Sequence, residues 1–201
     1  MWAVPFFLKA MAPFMAIAAP FYLLPRFIYL RRRKTKINWP RELALLLFVL
    51  FMVGLASQTI IPRMKFGPEG VIFTGEGVHE TRLQPFRVIE YTRKDLQVNQ
   101  NSYSLVINLL GNIVMFMPIG FFLPLLWRTP FIDTVLSGML ISVIIELIQL
   151  LLPRWTDIDD VILNTLGAAA GFLLYKLLHL IFGKLLDCFS DEPTVTKTPS
   201  A

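Results

Sequence analysis

The sequence predicts an all-α fold, a polytopic membrane helix bundle of about five transmembrane helices with one extracytoplasmic loop region. Three observations lead there. Hydrophobic residues make up 55% of the 201-residue chain and charged residues 16%, with a mean hydropathy of +0.61, whereas soluble chains carry roughly a quarter charged residues. Five apolar runs recur along the chain, each near the ~20 residues a helix needs to cross a ~30 Å hydrocarbon core. A basic block, Arg31, Arg32, Arg33, Lys34, Lys36 and Arg41, lies between the first two runs, where the positive-inside rule puts a cytoplasmic turn.

The first run, about 8–30, carries Lys9 and Arg26 near its ends and Pro5, Pro13, Pro20 and Pro25 along it. It reads as a retained anchor with its N-terminus outside, kinked or partly interfacial. Membrane helices tolerate proline where neighbours satisfy the freed carbonyls. The second run, 43–61, completes an N-terminal unit, 1–61, of two spans joined by the basic turn. Residues 62–104 then form the outer loop region. Gly67, Pro68, Gly70, Gly75 and Gly77 predict turns or a short hairpin over 66–80. The following "LQPFRVIEYTRKDL" sets Phe86, Ile89 and Tyr91 among charges, as suits a segment at headgroup level or an ordinary surface loop.

The remaining runs, 105–126, 131–152 and 159–182, make up a three-helix core over 105–183, with Pro118, Gly120 and Pro124 expected to kink or end the first of them. A tail, 184–201, is polar, contains two prolines and is expected to be disordered. The multi-pass membrane protein would thus have its N-terminus outside and its C-terminus in the cytoplasm.

Composition also excludes several chemistries. One cysteine, Cys188, allows no intrachain disulfide, and His79 and His179 offer no His/Cys metal-ligand spacing or histidine-based triad. A net charge of +5 concentrated beside membrane spans is a topology signal rather than a nucleic-acid footprint. No cofactor is implied, and the partners expected are membrane lipids.

The polar residues of the core gather at one end. Asn108 and Asn112 are four apart in the first turns of the third run, and Glu146 and Gln149 three apart in the last turns of the fourth. Asp157, Asp159 and Asp160 open the fifth, with Asn164 four beyond Asp160. Residues three or four apart share a helix face, so antiparallel helices bring these groups together whichever way the bundle is oriented. Glu146 lies about 9 Å along the helix from Leu152. Facing lipid there, a carboxylate costs on the order of 2–3 kcal/mol, so it should face the interior, with a proton, a cation or Arg154 as partner. Such a set is a candidate pocket, although amides and carboxyls also join membrane helices. One aspartate is expected to cap its helix. Gly167 and Gly171 form a GxxxG spacing, which signals close helix approach.

At these residues the chain resembles the VanZ-like family of small bacterial membrane proteins. The resemblance covers about 83–175 and rests on "LQPF", "NLLGNIVMFMPIGFFLP", "ELIQ" and "RWTDIDDVILNTLG" in that order. It departs at Arg82, where many members have Asn, and at Pro153, where a small residue often precedes the Arg. The family's polar signature falls on Asn108, Asn112, Glu146, Gln149, Arg154, Asp157, Asp159, Asp160 and Asn164. The resemblance implies a role in low-level resistance to teicoplanin-type glycopeptides and in the Gram-positive cell envelope, with a lipid-linked envelope component or the glycopeptide as ligand. The alternative is an intramembrane enzyme acting on a lipid-linked cell-wall precursor, with Glu146 as acid or base and an Asp pair holding a divalent cation.

Overall fold

A computed structural model describes residues 3–32, 36–61, 64–67, 70–73, 81–82, 84–86, 103–152 and 156–190. Helix α1 spans Ala3–Arg32, α2 Trp39–Thr59, α3 Tyr103–Trp127, α4 Phe131–Gln149 and α5 Ile158–Asp187. All five are long and apolar enough to cross a membrane. Short strands β1 (Met64–Gly67), β2 (Gly70–Phe73), β3 (Thr81–Arg82) and β4 (Thr156–Asp157) fill part of the connections at one end.

Helix α1 is continuous through Pro13, Pro20 and Pro25, and α3 through Pro118 and Pro124. Of the two outcomes expected at Pro118, Gly120 and Pro124, a kink or an end, the end is corrected: α3 runs on to Trp127. Asn38 starts α2, its side chain accepting from the Arg41 N–H, with Pro40 in the first turn, where its missing N–H costs nothing. Helix α5 extends to Asp187, with a break in helical geometry at Phe182. Residues 184–187, expected in a polar tail, are thus its last turn, and 191–201 lie outside the described residues.

Helices α3 and α5 share the most extensive interface, followed by α4 with α5 and α1 with α2. Small residues make the first possible. A Cβ added to Gly167 would strike the Ile113 carbonyl, one on Gly171 the Met117 carbonyl, and one on Gly120 the Ala168 carbonyl. Gly138 of α4 meets Ala168 from the other side. Between hydrocarbon-solvated helices such close approach, rather than apolar burial, drives association. Helix α4 shows the resulting inversion. It buries Thr134, Gly138, Ser142, Glu146 and Gln149 along with Ile145 and exposes Leu136, Leu140, Ile144 and Leu147.

Two apolar clusters complete the interior. Leu55, Phe116, Ile119 and Ile145 lie toward the end where α2 and α4 finish. Ala44, Leu45, Leu125, Leu126 and Tyr175 lie toward the opposite end. Helix α1 stands apart, packed chiefly along α2, with Met11 against Gly54 and an Arg26–Glu42 ion pair whose two hydrogen bonds are 2.7 and 2.6 Å.

Candidate functional site: a polar cluster at one end of the bundle

The antiparallel order of α3, α4 and α5 brings Asn112, Glu146, Gln149, Asp157, Asp159, Asp160 and Asn164 to the same end. Arg154 and the side chain of Asn108 lie outside the described residues, and with them one of the three partners expected for Glu146. Glu146 is 7% exposed, Asp159 4% and Asn164 7%, which places these groups inside the protein rather than against lipid.

The aspartates have separate partners. Asp157 caps α5, its carboxylate accepting from the Asp159 N–H at 3.0 Å. Asp159 accepts from the Phe86 backbone N–H in the loop ahead of α3. Asp160 reaches sideways to α3, where Asn112 Nδ2 donates to it at 2.6 Å. One carboxylate thus serves the helix end, one the loop and one a neighbouring helix.

The loop is held by backbone as well. Strands β3 and β4 pair in parallel, Thr81 with Thr156 and Arg82 with Asp157. Phe86 then adopts φ 67°, a left-handed conformation uncommon for a bulky residue, and it is in this conformation that its N–H meets Asp159. Phe86, the last residue of the "LQPF" stretch, therefore lies over the start of α5. Of the turns or short hairpin expected over 66–80, antiparallel β1–β2 pairs Met64–Gly67 with Gly70–Phe73, Gly67 opposite Gly70, and 74–80 lie outside the described residues. Ile89 and Tyr91 fall outside the described residues.

Below the loop the remaining polar groups link helices. Glu146 Oε2 accepts from the Asp157 N–H at 3.3 Å. Gln149 Nε2 donates to the Thr59 carbonyl at 2.8 Å, at the end of α2 where helical carbonyls lack intrahelical donors. Asn164 Nδ2 donates to Ser142 Oγ at 2.8 Å. Among the described residues, its Oδ1 is buried without a hydrogen-bond partner.

Ser142, fully buried, is the residue that sequence reasoning missed. Its spacing carried the signal: Ser142, Glu146 and Gln149 follow i, i+4, i+7, a stripe on one face. Phe86 gave no such signal, because it acts through its main chain.

Among the described residues, no group of three or more His, Cys, Asp or Glu side chains is arranged to hold a metal ion. The carboxylates are turned to N–H donors instead. What the arrangement offers is a set of buried carboxylate and amide groups at one end of the bundle.

A family model described as VanZ/LLP1 matches residues 42–179. The chain belongs to the VanZ-like family. The match takes in α2 to most of α5 together with the loop, and so begins well ahead of residue 83, where the motif resemblance starts. It includes every residue of the polar cluster and leaves out α1, the helix that stands apart from the VanZ-like bundle. No curated protein and no solved structure matches the chain at a significant level.

Proposed function

We propose that this VanZ-like protein lies in the cell membrane with its polar cluster facing outward, where it engages a lipid-linked envelope component and lowers susceptibility to teicoplanin-type glycopeptides. The observation that carries the reading is the unpartnered Asn164 Oδ1 within a set of buried polar side chains beneath the loop. A buried, unsatisfied polar atom costs about 1–3 kcal/mol, and an N–H or O–H group of a ligand would recover that cost.

Expression in a glycopeptide-sensitive host tests it. The wild-type chain raises the teicoplanin concentration needed to stop growth, while Glu146→Gln and Asp160→Asn at equal abundance do not. An unchanged susceptibility with the wild-type chain sinks the reading, and loss of abundance in both variants assigns the residues to helix packing.

Orientation rests on charge. Arg31 and Arg32 close α1, Arg128 follows α3, and Lys184 lies in the last turn of α5, all at the end opposite the cluster. That end is proposed as cytoplasmic. The exposed Cys188 there reports on it: an impermeant maleimide should label Cys188 in inverted vesicles and not in intact cells.

A further inference from the structure

At the basic end, α1 and α2 border a groove of about 440 Å³, within the ~300–1,000 Å³ range of small-molecule sites. Its walls are apolar, with Phe27, Leu30, Trp39, Leu43 and Leu46 among them. Phe27, Trp39 and Leu43 are all exposed, so the groove opens to the side of the bundle.

Two arginines border it, in different electrostatic states. Arg26 is tied to Glu42 by two hydrogen bonds, which neutralises that wall. Arg31 stands with its guanidinium 4.8 Å from the Phe27 ring centroid and has no carboxylate partner among the described residues. A cation is thereby held over the mouth of an apolar channel, beside Arg32 and at the head of the basic block.

We propose that this groove binds one anionic phospholipid, an acyl chain lying between α1 and α2 and the phosphate resting on Arg31. Basic pockets between membrane helices suit anionic headgroups, and the guanidinium fork matches phosphate oxygens in a two-bond geometry. A zwitterionic lipid presents an ammonium group of its own, which Arg31 and Arg32 repel. The site lies at the opposite end from the polar cluster and does not depend on the function assigned to it.

Trp39, in the groove wall, provides the readout. The purified full-length protein is reconstituted in phosphatidylcholine vesicles containing increasing fractions of brominated phosphatidylglycerol or brominated phosphatidylcholine. The Trp39 signal is isolated by difference from Trp39→Phe. Brominated phosphatidylglycerol should quench it at a several-fold lower mole fraction than brominated phosphatidylcholine. Arg31→Gln should abolish that preference, Arg31→Lys should retain part of it, and Arg32→Gln, outside the groove wall, should retain most. Equal quenching by both lipids overturns the proposal. So does quenching by neither, which means the groove is closed by a second copy or by the chain itself. Equal losses in the Arg31 and Arg32 glutamine variants overturn it as well, by showing diffuse attraction in place of a site.

Discussion

Asp157, Asp159 and Asp160 are near neighbours in sequence, yet each is satisfied by a different part of the molecule. The i, i+4 spacing revealed that Asp160 and Asn164 share a face, and that Asn108 and Asn112 do. It did not reveal that Asp160 meets Asn112 whereas Asn164 meets Ser142, because the choice depends on how far each helix is rotated about its axis. Polar pairs in membrane helices contribute about 0.6 kcal/mol on average and up to ~1.7. The short Asn112–Asp160 bond should lie in the upper part of that range. A double-mutant cycle with Asn112→Ala and Asp160→Ala, read by unfolding in detergent, should give a coupling of about 1 kcal/mol. The pair of Asn112→Ala with Gln149→Ala, which share no hydrogen bond, should be additive.

Helix existence was legible because apolar length alone announces a span; helix ends were less so. Helix α5 outruns its apolar run since Lys184 and Asp187 sit in a final turn at the basic end, where Arg128 and His179 lie beside Asp187. The GxxxG spacing was legible as close approach, and α3 is the partner it selects. Two alanine substitutions separate packing from propensity. Gly171→Ala puts a methyl into the Met117 carbonyl and should lower the melting temperature and the folded abundance, since α3 and α5 must part to accept it. In Gly111→Ala the new methyl meets nothing within 4 Å, so the change should be neutral or stabilise by up to ~1 kcal/mol through helix propensity.

At the scale of the molecule, the bundle of α2 to α5 and the added α1 are distinct in packing and in family match. A chain lacking α1 but retaining the basic block should still insert with Cys188 on the same side and unfold cooperatively, because α1 packs chiefly on α2. Failure to accumulate would show that the Arg26–Glu42 and Met11–Gly54 contacts are needed for assembly. The gathering of polar groups at one end was readable from alternating helix direction. The loop above them was not, since a two-residue parallel pairing and one left-handed backbone angle leave no periodic trace.

That loop also sets an order of events during synthesis. Phe86 waits for Asp159, 73 residues later in the chain. At ~5–20 residues per second, the ribosome needs roughly 4–15 s to deliver it. Until then α3 and α4 enter the membrane beneath an unlatched loop. Its closure marks the moment when the last helix has arrived, so in a nascent chain stalled before residue 159 the Phe86 N–H should exchange with solvent faster than in the finished protein.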